Sequence, residues 1–527
     1  MPAARNDADV LNGTDPGAGT GPVSGPVSVA ATGTACVPVS VRATVPVLLL
    51  ILLAFPALAD DTVHRLVARL LSDTPIQEDA RSLCDEIGGR PTGSAANLAS
   101  VEWGLERFRA AGIEARKEAF AMPALWLERG ANAEIRTRDG SVTFPAAVAA
   151  QPYSVGTPEA GITAPLVDGG RGTEGDFERL GASAKGAFIL IETDELEDVP
   201  GLFREYTEAA AFESRAFAAG AAGIATVGSR GNGALYRHNA SLGPKNRHPL
   251  FILERGPAMR ALRLLRAGRE IVLSVTLDIE AGGTYESFNV IGEIKGTARP
   301  EEYVVIGAHL DSWGLGTGAL DNGCNVALVI DVARQMKALG VAPRRTIRFA
   351  LWNGEEQGLY GSWGYVKSHA DELDRHVMAS SYDIGSGRID GFFTGGRPVV
   401  LTAIEQALAP VAGLGPFLNL DIPIVGTDNY DFMMEGIGNL VASQESANYG
   451  PHYHAASDTF DRIDFRTLRQ NAAVAAAVTW AFANMDVDWS RQKRSEVQAL
   501  IDATDLGDQM RTFGLSEAWE QGERGRK

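Results

Sequence analysis

Residues 303–311, YVVIGAHLD, decide how this chain is read: the apolar run Val304, Val305, Ile306 ends on His309 and Asp311. In α/β sheets, ligands bind in the crevice beyond the carboxyl ends of the strands, so a histidine and an aspartate there mark a candidate site. The same arrangement recurs downstream. The run Ile347, Phe349, Leu351 delivers Glu355 and Glu356 in WNGEEQGLYGS, and a strand over 377–382 delivers Asp383 in SYDIGSG.

Working outward, strands and helices alternate from Asn289 onward. The pattern predicts a strand over 303–308, a helix over 325–339, a strand over 346–352, a helix over about 358–369 and a strand over 377–382. Such alternation predicts an α/β sheet flanked by helices. The last core helix is expected over 465–484, and the charged stretch after Trp489 is expected at the periphery. Upstream, Leu66, Leu70, Leu71, Leu83, Ile87, Trp103, Leu105 and Phe108 recur at helical spacings over 62–109, broken at 91–94. Between about 131 and 279 the texture changes to short strand-like runs, such as 188–192 and 271–275, with one helix near 212–219. That stretch reads as a separate, inserted domain.

The length of 527 residues allows two to four domains, and 45% hydrophobic with 22% charged residues is ordinary globular usage. Forty-eight Lys and Arg against 66 Asp and Glu give a net charge of -18, the wrong sign for a protein that neutralises phosphates. Nucleic acid is therefore not an expected partner. Three cysteines, Cys36, Cys84 and Cys324, are too few for a disulfide scaffold and lack the spacing of a cysteine zinc site. Residues 1–59 read as a disordered leader plus signal peptide: an apolar run over 45–58 follows Arg42 and ends in the A-x-A site Ala57, Leu58, Ala59. Cleavage near Ala59 implies a secreted or periplasmic product with no stable membrane anchor. Translation starting later, at Val41, would explain the long stretch before the run. Removing the leader takes away Cys36, Arg5, Arg42, Asp7, Asp9 and Asp15, which leaves the chain acidic.

The chemistry is concentrated in few residues. Among only eight histidines, His309 and His454 sit in acidic contexts, the second in HYHAASDT just before the last core helix. Asp321 opens the helix after the first strand. Two histidines and several carboxylates presented by successive strand ends and one late loop suit a divalent metal. Two such ions close together need several carboxylates to offset their repulsion. Adjacent in sequence, Glu355 and Glu356 can point in different directions at the strand end, one to coordinate and one free for acid–base work.

The segments GAHLDSW, GALDNG, NGEEQGLYGS, YDIGSG and YHAASDTFD resemble the co-catalytic zinc exopeptidase family of bacterial leucyl aminopeptidase and aminopeptidase Y, nearest its carboxypeptidase Q branch. The likeness extends to LCDEIGGRPTGSAAN and FNVIGEIKG and covers most of 62–485. KGAFILIETDE and FAAGAAGIATVG resemble a protease-associated domain. The resemblance implies a mixed-sheet α/β/α sandwich over 60–130 and 285–488, an inserted mainly-β protease-associated domain over 131–284, and a charged C-terminal tail over 489–527. It implies two zinc ions, replaceable by cobalt or manganese: His309 and Asp383 on one, Glu356 and His454 on the other, Asp321 bridging. Glu355 is then the general base, Asp311 the carboxylate behind His309, and Tyr453 a candidate oxyanion donor, with plain packing as its alternative. The expected substrates are short peptides or dipeptides, cut at either terminus, and the relatives imply a homodimer.

Other readings are retained for comparison. A glutaminyl cyclase-like enzyme uses a related scaffold but resembles single-zinc sites, and a receptor-like binding protein would be expected to have lost at least one ligand. No G-x-S-x-G elbow is present to support a serine hydrolase. GLGTG at 314–318 reads as a turn between two ligands, since residue 319 is alanine. Cys324 reads as a packed small residue, His452 as a solvated loop residue, and His369 and His376 as surface residues. Pairing of Cys84 with Cys324 is left open.

Overall fold

The computed structural model describes residues 61–197 and 199–527. The leader, the cleavage site and Cys36 lie outside them. Two sheets organise these residues, and the first carries the strand ends singled out above.

The first sheet has seven strands in the order Glu114–Met122, Tyr285–Ile294, Arg345–Trp352, Arg299–His309, His376–Ser381, Asn439–Gln444 and Ile389–Phe393. The four strands from Arg345–Trp352 to Asn439–Gln444 run parallel, and the strands beyond them on either side are antiparallel. Parallel strands are buried on both faces, and this explains the unbroken apolar runs. Along 304–306 successive side chains point to opposite faces. Val304 and Ile306 pack under helices Ala95–Ala110, Cys324–Ala338 and Phe465–Asn484, while Val305 packs with Trp352, Tyr365 and Phe432 on the other side. Truncating a fully buried ring such as Phe349 to alanine costs about 3–5 kcal/mol.

The second sheet has eight strands drawn from 125–282, in the order Thr143–Ala146, Leu125–Thr137, Ile271–Gly282, Ile162–Asp168, Phe188–Ile191, Gly223–Val227, Leu250–Leu253 and Val148–Ala150. It has a core of its own, including Phe188, Phe251, Leu166 and Leu273. Its longest helix, Val199–Ala218, begins well before the expected 212–219, and Arg255–Arg266 forms a helix that the texture of short runs did not announce. Among the described residues no helix is long and apolar enough to cross a membrane.

The stretch after Trp489 is not peripheral, which corrects the expectation. Helices Arg494–Ala503, Leu506–Thr512 and Ser516–Glu520 bury Val497, Leu506, Met510, Leu515 and Trp519 against Leu359, Tyr430, Met433 and Met434. Arg524, 3% exposed, holds buried Asp431 through two bonds of 2.7 Å. Scattered apolar residues in a charged sequence gave little sign of this, because each short helix buries only one or two of them. Cys84 and Cys324 are both buried free thiols, and burial pushes the Cys84 thiol up to about 12.

Candidate metal centre

Three of the four parallel strands lead into polar side chains that share one crevice. His309 closes its strand and is 1% exposed. Two residues past Trp352 the chain turns at Gly354, whose φ of 73° is left-handed and where an added Cβ would stand 2.7 Å from Met122 Sδ. That turn brings Glu355 and Glu356 to the crevice. Asp383 follows the third strand, and Asp321 precedes helix Cys324–Ala338.

The donor atoms converge. His309 Nε2 lies 3.1 Å from Asp321 Oδ1 and 3.0 Å from Asp383 Oδ1. His454 Nε2 lies 2.9 Å from Glu356 Oε2 and 3.4 Å from Asp321 Oδ2. Asp321 thus offers one oxygen to each histidine. Ligand atoms of His309, Asp321 and Glu356 fall within 4.8 Å of one another, as do those of His309, Glu355 and Asp383. Distance alone groups Glu355 with the ligands.

The tautomers follow from the outer contacts. His309 Nδ1 donates to the Asp311 carbonyl at 3.0 Å, and His454 Nδ1 donates to the Arg237 carbonyl at 2.9 Å. In the neutral imidazole each Nε2 then turns a lone pair toward carboxylate oxygens, as a metal ligand does. Acceptors approach one another to about 3 Å only with a proton or a metal cation among them. Donor atoms about 2.1 Å from one tetrahedral zinc lie about 3.4 Å apart, so the spacing suits a metal. Asp321 Oδ2 and Glu356 Oε1 are buried without a hydrogen-bond partner, the state of oxygens reserved for an ion. The donor set fits divalent cations.

The electrostatics are those of a buried centre with an excess of carboxylates. Burial, reinforced by the surrounding carboxylates, lifts Glu355 and Glu356 well above the ordinary range. Burial opposes a charge on His309, but Asp383, Glu355 and Asp321 outweigh it and raise that imidazole. Burial lowers His454 to about 4.

Several placements differ in detail from expectation. The nearer partner of His309 Nδ1 is the Asp311 main-chain carbonyl, because the carboxylate Oδ1 stands at 3.7 Å. That carboxylate instead accepts from Thr92 Oγ1 at 2.9 Å and from the Glu355 amide at 3.4 Å. The Tyr453 ring stacks on His454 at 3.7 Å, and its hydroxyl lies 3.1 Å from that of Tyr206. His376 is buried, bonded to Tyr365, rather than on the surface. His369 is half-buried between Glu118 and Glu372.

Other residues of the site had no role in the sequence reading. Asp458 accepts the Leu320 and Asp321 amides at 2.7 and 3.2 Å, and burial raises its carboxyl to about 7. Its place in YHAASDTFD was the available signal. Arg90 is fully buried and donates to the carbonyls of Leu310, Thr317 and Gly318, bracing the loops that carry Asp311 and Asp321. Asp428 is 1% exposed with neither oxygen partnered, and nothing in its local sequence announced it.

Residues 289–479 match the sequence model of Peptidase family M28. Carboxypeptidase Q of Mus musculus is 30% identical over 227 residues, 42% of this chain and 47% of that protein, so the matched part spans about half its length. The crystal structure of a Peptidase M28 precursor from Shewanella amazonensis SB2B is similar with a TM-score of 0.73 and 28% identity, covering 82% of this chain and 99% of that one. BSAP, a zinc aminopeptidase from Bacillus subtilis, shares the fold with a TM-score of 0.61 and 23% identity over 78% of this chain and 94% of that one. The matched residues contain every one of the converging donors, so the likeness to Peptidase family M28 is carried by the part of the chain that builds this centre.

Proposed function

We propose that the protein is a dinuclear zinc exopeptidase that hydrolyses the terminal peptide bond of short peptides or dipeptides. The observation that carries this is Asp321, whose two oxygens face the Nε2 atoms of two buried histidines. In this reading His309 and Asp383 hold one cation, Glu356 and His454 the other, and Asp321 spans both. Bound there, the cations supply Lewis acidity, which polarises the scissile carbonyl and brings the pKa of water to about 7.

The chain's own groups do the rest. Glu355, lifted by burial and neighbouring charge and less buried than Glu356, takes the proton of the attacking water and returns it to the leaving amine. Tyr453 Oη donates to the developing oxyanion, held in direction by its stack on His454 and by Tyr206. The Asp311 and Arg237 carbonyls fix both imidazole tautomers. Residues 60–130 and 285–488 act as the catalytic domain, with 131–284 as an inserted domain of the protease-associated kind. The leader exports the chain, which works free in a periplasm or outside the cell as a homodimer.

The test is hydrolysis of dipeptides, free, N-acetylated and C-amidated, by the protein from Asp60 onward, before and after chelation and zinc restoration. Metal-dependent cleavage abolished by capping one terminus is expected, and that terminus names the class. No cleavage of any member by the zinc-loaded protein overturns the assignment.

A further inference from the structure

The half of the centre built on Glu356 and His454 is braced by a part of the chain that contributes no donor. Residues 230–239, from the second sheet's region, run beside the His454 loop. Tyr236 and Ala455 pair as an antiparallel bridge, the Arg237 amide donates to the His454 carbonyl at 3.2 Å, and the Ala456 amide donates to the Leu235 carbonyl at 2.8 Å. The Arg237 carbonyl receives His454 Nδ1–H, and Arg230 Nε donates to the Tyr453 carbonyl at 3.1 Å. Asn239 Nδ2 donates to the main-chain carbonyl of Glu356 at 2.7 Å. Both donors of this half are therefore tied to one ten-residue segment.

That segment is itself anchored in the second sheet. The Arg237 guanidinium forms a two-bonded pair with Glu128 at 3.0 and 3.2 Å, donates to the Ala150 carbonyl and lies over the Trp126 ring. Buried Arg230 is paired with Glu205 and stacked 4.0 Å over Tyr236. His454 needs such support, because its φ of 56° is a left-handed conformation that non-glycine residues seldom adopt and neighbours must hold. Among the described residues no such tie reaches the other half. His309 leans on Asp311, and Asp321 on Asp458, all within the catalytic sheet's region.

We propose that residues 230–239 are the outer shell of the Glu356/His454 cation site, with Asn239 and Arg237 as positioning residues. They set the affinity for one of the two cations and leave the other to the catalytic sheet. The inference rests on the two-cation reading above. Outer partners that orient ligands are typically worth 10- to 100-fold in metal affinity.

The experiment titrates chelated protein with Zn²⁺ by calorimetry, checking metal content after dialysis and folding by circular dichroism. Wild type should take up two ions. Asn239→Ala and Arg237→Lys, whose ammonium cannot form the two-bonded pair with Glu128, should bind the first ion as wild type does and the second 10- to 100-fold more weakly. Arg269→Ala, which removes an exposed pair with Asp139 in the same region, should match wild type. Adding Asn239→Ala to His454→Ala should leave the affinity of the remaining ion unchanged. The inference is overturned if folded Asn239→Ala holds both ions at wild-type affinity, or if its weakening falls on both ions equally. Wild type that binds no zinc would instead remove the proposed function, and this inference with it.

Discussion

His309 and Asp383 sit at the ends of neighbouring parallel strands, paired residue for residue from Val304 with Met378 to Gly307 with Ser381. His454 lies ten residues beyond the end of its strand, in a left-handed conformation, and its Nδ1 partner is 217 residues away in sequence. The first half of the centre inherits its geometry from a hydrogen-bonded ladder, whereas the second is assembled by contact between two sheets with separate cores. A single crevice can thus owe half its precision to the fold that carries the donors and half to a region that carries none.

The largest effects should come from residues shared by both halves. Asp321→Ala should release both cations and abolish turnover, as read by metal content and peptide hydrolysis. Glu355→Gln should keep both cations and lose about 10²- to 10⁴-fold in kcat, the usual worth of a general base. Normal turnover in that variant would return Glu355 to the ligand set with which its distance groups it.

The next prediction sharpens the contrast between halves. Asp458→Ala strips the acceptor from the Leu320 and Asp321 amides, so both cations should weaken together. Asn239→Ala should weaken only one. Zinc titration of the two variants side by side separates support of the bridge from support of one half.

A smaller effect belongs to the second sheet alone. Glu213, 1% exposed, accepts from the Ser241 amide at 3.0 Å and from the Ser241 hydroxyl, and burial raises its carboxyl to about 7. The folded chain keeps that proton up to about pH 7, while the unfolded chain releases it near 4.5. Stability therefore falls as pH rises across that window, by at most about 1.4 kcal/mol per pH unit, and levels off above it. Glu213→Gln should remove this slope and raise Tm by a few degrees at pH 8 but not at pH 4, in thermal scans of chelated protein. The smallest effect is expected for Lys245→Ala, which breaks an exposed pair with Glu517 and should change stability by about 0–1 kcal/mol.

These differences track what the sequence made legible. The strands ending at His309, Glu355 and Asp383 announce themselves because burial on both faces forces apolar runs, and a polar residue ending such a run stands out. Helix Phe465–Asn484 was legible for the same reason, with one side chain after another buried along its length. The support of His454 was not legible, since it passes through the carbonyl of Arg237 and the amide of Ala456, groups that every residue possesses. Asp311 shows the same limit: its carboxylate was expected behind His309, and its carbonyl stands there. The tail was misread because its burial is spread one or two residues per short helix, below what periodicity reveals.

The most direct test of the account is zinc titration of chelated wild type with peptidase activity followed in parallel. Two binding events, with full hydrolysis of a susceptible dipeptide only after the second, is the result predicted for a centre bridged by Asp321. Saturation by a single ion at full activity would contradict it.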